Sequence, residues 1–591
     1  MKRTAKKLLC AILSIMLVMS LNVNLTTSAS NTMRDESTVN VDSKISSALI
    51  AKLTSDSSVQ VAIWFKDSVD TLSVKETSMN KADITFEKQN ALINKNLDST
   101  DIDNISNECL DKYISEKNKS FASLYEKQNI EYAKKHLTGE KIIYLSFFTP
   151  MIIVELPSKN ITSLVKSGDV EYIDVYDVSE AKDDWTYSIP LVQSPYVNDL
   201  SYTGKNVKIG QVESGVPHNT AVNVYDRFGS NFTSHADYVA ETIYRVAPDA
   251  QVYSASHLAS YPASNYYSNT TGPIAAAEWL IRTHNVNIIN FSCGFGAFNQ
   301  YDSLCRWADH IAVVHDVHVV KSAGNEGDDG VTSPGMAYNV ITVGNINEKN
   351  TASNLNDDVL DFGDATYKGS SFNTLTGTSA MKPDLVAPGC MEFGIGTSIS
   401  APHVSGAIAL LCEQRPALKV LQNTVKAILL ATTNNQSPHY YEPRNWSNTN
   451  NNYSRYGAGI LNCKNAYTTT KYSRYYNSSF TPTQIANNTK KTYTFTVTSG
   501  MTYVRVALNW LKYETSCGTP SGSNTSIPDL DIKLYYNGSS TPIATSMCGR
   551  GNVEIIGFDP TLYGSGTYTL EIIPYGNYTT SSNTYFAVAW W

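Results

Sequence analysis

Apolar and polar positions along Val59-Gln60-Val61-Ala62-Ile63-Trp64-Phe65 follow the two-residue period of a strand with a buried face. Residues 67–136 are charged and nearly free of Gly and Pro, which predicts a largely helical stretch. Residues 142–148 and 151–156 read as two strands around the turn at Thr149-Pro150. A short helix over 159–166 stops at Gly168, and 170–176 forms a last strand. The order β-α-β-β-α-β predicts a ferredoxin-like α+β unit, a fold that by itself carries no function.

From about residue 185 the pattern changes to short apolar runs alternating with helical periods, the signature of an α/β domain with a doubly wound, mainly parallel sheet. One run ends in Glu213-Ser214-Gly215, one leads into Ser292-Cys293-Gly294, and one leads into Ala323-Gly324-Asn325-Glu326-Gly327. Ligands gather at the carboxyl ends of such strands, where Glu213, Ser292 and Asn325 all fall. Helices are predicted over 235–243, 274–283, 302–314, 404–412 and 420–431. From about residue 475 the chain reads as all-β, with strands at 492–498, 503–510, 530–536, 553–556, 567–573 and 585–590 between Gly/Ser/Asn/Pro turns. That spacing predicts a β-sandwich or jelly roll.

The amino terminus is basic through Lys7 and apolar from Leu8 to Leu21, too short for a membrane span, and is followed by Thr26-Thr27-Ser28-Ala29. This reads as a secretory signal peptide over 1–29; its short form suggests a bacterial exporter and an extracellular product. No later stretch is long and apolar enough to cross a bilayer. With 591 residues the chain has room for roughly two to four domains. A net charge of -8 with 17% charged residues gives no reason to expect a nucleic-acid partner. The 9 cysteines form no CxxC or Cys/His cluster, which argues against a metal framework. Cys517 and Cys548 are candidates to pair, and most others read as small buried hydrophobes.

The chemistry concentrates in Gly396-Thr397-Ser398-Ile399-Ser400-Ala401-Pro402-His403-Val404-Ser405-Gly406. A loop ends in Gly-Thr-Ser and an apolar helix follows, with Pro402 expected in its first turn. A serine at a helix N-terminus lies beside unpaired N–H groups able to stabilise an oxyanion. Alone, Gly-Thr-Ser is ordinarily a helix cap. The full run resembles the nucleophile motif of the subtilisin-like serine proteases, and motifs around Glu213, His235, Ser292 and Asn325 occur in that family's order. The resemblance covers about 185–467.

It implies a serine endopeptidase acting on proteins or peptides, with Ser398 as nucleophile, His235 as acid/base, Glu213 as its orienting acid, Asn325 as oxyanion donor, and Ser292, Cys293 and Gly294 pairing with substrate backbone. It also implies an inhibitory propeptide over 30–182, with self-cleavage between 177 and 185, a catalytic domain over 183–470, and a C-terminal β-sandwich over 471–591. No cofactor is required for the chemistry. Structural Ca²⁺ remains open, with Asp529-Leu530-Asp531 as a candidate ligand pair or a solvated turn. Two departures stand out. Glu213 replaces the family's Asp, and His235-Ala236-Asp237-Tyr238-Val239-Ala240-Glu241 lacks the two family glycines, which predicts looser helix packing or a reshaped cleft, with Asp237 as a second carboxylate near His235. These departures motivate one alternative, an inactive subtilisin fold used as a secreted binding or surface protein; a non-proteolytic acyl hydrolase such as an esterase is a third reading.

Overall fold

The fold is taken from a computed structural model, which describes residues 45, 49, 58–85, 89, 92, 106–166, 168–175, 178–179, 188–262, 271–295, 298–347, 358–359, 369–373, 380–391, 394–434, 456–512, 528–547, 551–575 and 583–591. The expected signal peptide, Cys10, Cys517 and Cys548 lie outside them. So does most of the expected self-cleavage segment.

The first sheet is built from β1 (Ser58–Phe65), β2 (Lys141–Leu145), β3 (Met151–Pro157) and β4 (Val170–Val175), antiparallel in the order β2-β3-β1-β4. The charged stretch expected as helix contains α1 (Thr71–Lys81) and α2 (Asn107–His136), with α3 (Ser158–Lys166) following β3. The stretch does not run as one helix, because Asp83 takes a left-handed conformation at φ 60° just after α1. Asp70 caps α1 by accepting from the Ser73 N–H, and Ser106 caps α2 through the Cys109 N–H. Lys134, Lys135 and His136 close α2, where cations suit the negative end of the helix dipole. Beyond β4 lies the two-residue strand β5 (Val178–Ser179).

The central sheet comprises β6 (Lys208–Glu213), β7 (Val224–Phe228), β8 (Gln251–Ser256), β9 (Ile288–Phe291), β11 (His318–Ser322), β12 (Ile341–Asn347), β13 (Asp358–Val359) and β14 (Leu385–Pro388); the short β10 (Gly294–Phe295) lies outside it. Its order is β13-β12-β11-β9-β6-β8-β7, with β14 also on β12. All these pairs are parallel except β12–β13. Its helices include α4 (Ser234–Val246), α5 (Pro273–His284), α6 (Ser303–Val314), α7 (Thr397–Gln414) and α8 (Gln422–Thr432). A hairpin of β15 (Cys390–Met391) and β16 (Gly394–Ile395) leads into α7. Thr397 through Cys412 are all buried, so α7 runs through the interior; the evenly apolar sequence of such a helix has no solvent face to mark.

The C-terminal part has two antiparallel sheets. One is β17 (Tyr475–Phe480), β19 (Val504–Trp510), β22 (Val553–Phe558) and β24 (Thr584–Trp590), in the order β17-β24-β19-β22. The other is β18 (Lys491–Val497), β20 (Asp529–Tyr536), β21 (Ala544–Ser546) and β23 (Gly566–Tyr575), in the order β18-β23-β20-β21. Phe495, Val506, Leu508, Leu530, Ile532, Ile556, Leu570 and Phe586 share the core of this part. Ala507, Val553, Ile555, Ala587 and Ala589 join the core that contains α8. Small residues there let the sheet lie close against the helix. Sequence reading missed β17 and β21, since Tyr-Tyr-Asn-Ser-Ser-Phe and Ala-Thr-Ser lack apolar alternation.

The N-terminal sheet packs on the central domain through buried polar contacts as well as apolar ones. Glu278 of α5 is fully buried and accepts from Tyr144 Oη at 2.6 Å, Ser146 Oγ at 2.5 Å, the Phe147 N–H at 2.7 Å and Trp307 Nε1 at 2.9 Å. Asp316 pairs with Lys75 at 3.1 Å and Lys117 at 3.2 Å. Arg306 lies over the ring of Tyr172, 4.4 Å from its centroid.

Candidate active site

Glu213 is the last residue of β6 and is 1% exposed. The chain beyond it is bound to the entrance of α4 by two backbone hydrogen bonds, Val216 N–H to Asn231 O and Thr233 N–H to Val216 O. Gly215 is required there, because a Cβ would stand 2.4 Å from Thr233 Cγ2 and 2.6 Å from Asn231 O. Thr233 then caps α4 by accepting from the Ala236 N–H, which puts His235 in the first turn. The outcome is a buried pair with His235 Nδ1 2.9 Å from Glu213 Oε2. A carboxylate partner makes Nδ1 the protonated nitrogen and leaves Nε2 with a free lone pair. Neither His235 Nε2 nor Glu213 Oε1 has a hydrogen-bond partner in the described structure, so no bond joins Nε2 to the Ser398 hydroxyl.

Two expectations about α4 need correction. Asp237 does not serve His235; its carboxylate accepts from the His218 N–H at 2.6 Å and lies 2.6 Å from His218 Nδ1. Nor is the helix loosely packed, since Ala236, Val239, Ala240, Ile243 and Val246 are all fully buried. The close approach is supplied from the other side, where a Cβ on Gly406 of α7 would come within 2.7 Å of Val246 Cβ. Val239 packs with Ile399 and Val246 faces Gly406, so α4 and α7 run side by side in the same direction. Their N-termini, with His235 and Ser398, therefore share one end.

Ser398 is in the first turn of α7 after Gly396 as N-cap, and is 3% exposed. Pro402, expected in that first turn, is instead inside the helix. It has no N–H for the carbonyl four residues back, which belongs to Ser398. The Ser292 hydroxyl donates to that carbonyl at 2.5 Å instead. Ser292 is itself held by Asn290, whose Nδ2 lies 2.8 Å from Ser292 Oγ and whose Oδ1 accepts from Ser405 at 2.9 Å.

Asn325 follows β11 and meets the same helix end. Its Oδ1 accepts from the Thr397 N–H at 2.9 Å and from Thr397 Oγ1 at 3.2 Å, while Thr397 Oγ1 accepts from the Gly324 N–H at 3.0 Å. With the oxygen so used, Nδ2 is the donor left over. Ser371, which sequence reading missed, braces the loop by accepting from the Glu326 N–H and donating its own N–H to Gly324 O, both at 2.9 Å.

Cys293 is buried and its thiol donates to Val212 O at 3.3 Å; Gly294 opens β10. β10 pairs antiparallel with β5, Gly294 opposite Ser179 and Phe295 opposite Val178, so the chain following the N-terminal sheet runs along this segment. Thr332, also missed, fills the space beside Gly294, since a Cβ there would be 2.7 Å from Thr332 Oγ1. Behind it Lys321 is fully buried and donates to Thr332 Oγ1 at 3.1 Å and Ser322 Oγ at 3.0 Å; burial pulls its ammonium down to about 8. A lysine inside the apolar run Val319-Val320-Lys321-Ser322 was its visible signal.

The subtilase family model matches residues 204–459. Subtilisin E of Bacillus subtilis (strain 168) is 28% identical over 287 residues, which is 44% of this chain and 70% of that protein. The alkaline protease of Alkalihalobacillus alcalophilus is 24% identical over 301 residues, 46% of this chain and 72% of that protein. Among solved structures, the prenylagaramide maturation protease PagA is 20% identical at a TM-score of 0.34, over 46% of this chain and 98% of its own. Residues 204–459 thus match the subtilase family, and these likenesses support a serine-type endopeptidase similar to the subtilisins.

Proposed function

We propose that this chain is a secreted precursor that cleaves peptide bonds through an acyl-enzyme on Ser398, using a Ser/His/Glu triad. The observation that carries the reading is the buried His235–Glu213 pair at 2.9 Å. In this reading His235 Nε2 takes the Ser398 proton as Oγ attacks the substrate carbonyl, and Glu213 holds the tautomer and stabilises the imidazolium. Asn325 Nδ2 and the Ser398 N–H, which has no intrahelical partner in the first turn, donate to the oxyanion. The intermediate collapses as Nε2 returns its proton to the leaving amine, and water then releases the acyl group by the same steps reversed.

The N-terminal unit acts as an inhibitory propeptide. Its strand order β2-β3-β1-β4 is that of a ferredoxin-like unit, and the pairing of β5 with β10 lays its tail where substrate backbone would run. The C-terminal sheets form an accessory sandwich. Secretion rests on the amino-terminal segment; among the described residues no helix is long and apolar enough to cross a membrane.

The test is labelling of the purified protein with a fluorophosphonate probe beside a Ser398→Ala control. Labelling lost in the control, with shortening of the parent chain by the mass of the N-terminal unit, is the expected result. A folded, full-length product that takes no label would favour the alternative of an inactive binding scaffold, which the replacement of the family's Asp by Glu213 motivates.

A further inference from the structure

Asp529 and Asp531, at the start of β20, and Glu554 of β22 come from different sheets of the C-terminal part, yet their carboxylate oxygens all lie within 4.8 Å of one another. From sequence, Asp529-Leu530-Asp531 reads either as a ligand pair or as a solvated turn. It is not a turn, since Asp531 is inside a strand and only 5% exposed, while Glu554 is fully buried. The Ser546 hydroxyl donates to Glu554. Asp531 is different. Among the described residues its carboxylate has no hydrogen-bond donor and no cation within salt-bridge distance, and Lys533, two positions on, acts on it only from further away. Burying a carboxylate without a partner is costly, and placing others beside it adds like-charge repulsion. A cation bound among the three would offset both costs.

We propose that Asp529, Asp531 and Glu554 bind one calcium ion that clips the two sheets together at this end. The donor set is carboxylate oxygen alone, with no imidazole or thiolate, which suits a hard cation. Calcium binds oxygens at about 2.3–2.6 Å, so two ligands on opposite sides of one ion stand roughly 5 Å apart, matching the spread seen here. Three carboxylates supply up to six oxygens, and water completes the shell. The ion would stabilise the folded chain without taking part in peptide hydrolysis, independently of whether the Glu213 triad is active.

The experiment uses the full chain carrying Ser398→Ala, freed of metal with a chelator and reloaded with Ca²⁺ alone. Bound calcium is counted by atomic emission after gel filtration, and thermal unfolding is followed with and without Ca²⁺. Asp531→Asn, which keeps the side-chain shape, is expected to bind one calcium fewer than the parent and to lose part of the calcium-dependent rise in unfolding temperature. In chelator it is expected to unfold at the same temperature as the parent or higher, because one buried charge is gone. Should Asp531→Asn not fold, Asp529→Asn at the half-buried ligand gives the same reading. Equal calcium counts in parent and variant, or a parent whose unfolding does not respond to Ca²⁺, would overturn the proposal.

Discussion

The Ser292 hydroxyl donates to the Ser398 carbonyl at 2.5 Å and takes the place of the amide hydrogen that Pro402 lacks. One bond thus joins the segment beside the β5 tail to the first turn of α7. Ser292→Ala leaves that carbonyl unpaired in the interior. The expected cost is about 1–3 kcal/mol of stability, read from the urea midpoint, together with slower labelling of Ser398 by a fluorophosphonate. Unchanged stability and unchanged labelling would count against this linkage.

Asp237, the carboxylate nearest His235 in sequence, is engaged with His218 and leaves Glu213 as the acid bonded to His235 among the described residues. Glu213→Gln presents an amide to Nδ1 and lets the imidazole take the other tautomer, so peptide turnover should fall on the order of 10³–10⁴-fold while thermal stability changes little. A Gln variant retaining a tenth or more of parental turnover would remove Glu213 from the mechanism.

Asn325 touches Thr397 through its oxygen, and in the proposed mechanism its nitrogen donates to the oxyanion. For Asn325→Ala the expected loss in kcat is about 10²–10³-fold with KM nearly constant, the size subtilisin itself shows for this donor. Loss confined to KM would point to a role in substrate binding alone.

In the proposed maturation, the pairing of Gly294 with Ser179 and Phe295 with Val178 holds the chain beside β10 up to Ser179. Cleavage is expected beyond Ser179, inside the 177–185 window read from sequence. Amino-terminal sequencing of the matured protein should give a start between 180 and 185, and a start outside that window would refute this reading.

The contact between the N-terminal sheet and α6 should weaken in acid. His310 and His315 lie against Tyr125, and His315 Nε2 is 2.6 Å from Phe148 O. Burial lowers His310 to about 3 and holds His315 well below 6.5. Both are bases held neutral when folded, so the unfolded chain gains protons first as pH drops through 6.5. Stability is full above 6.5 and falls by up to about 1.4 kcal/mol per histidine for each unit below it, toward the lowered values. Glu278, raised by burial, acts in the opposite sense at lower pH. Comparing urea midpoints at pH 7.5 and 5.0, His310→Gln should flatten the difference; an equal slope in both proteins would exclude His310 as a source.

The local pattern of this chain determined much of its outline. Strand runs such as Lys208–Glu213 and Val504–Trp510 carry their own periodicity, and Glu213, His235, Asn325 and Ser398 stand in motifs that mark strand ends and helix starts. Tertiary structure alone decided which partners those motifs meet. Asp237 lies two residues from His235 on a helix, where i and i+2 positions point to different sides, so it turned to His218 instead. Pro402 became a mid-helix residue because a distant serine supplied the bond that proline removes. Asp529 and Glu554, 25 positions apart on strands of separate sheets, meet only because the two sheets pack together, a distance relation that no sequence period encodes.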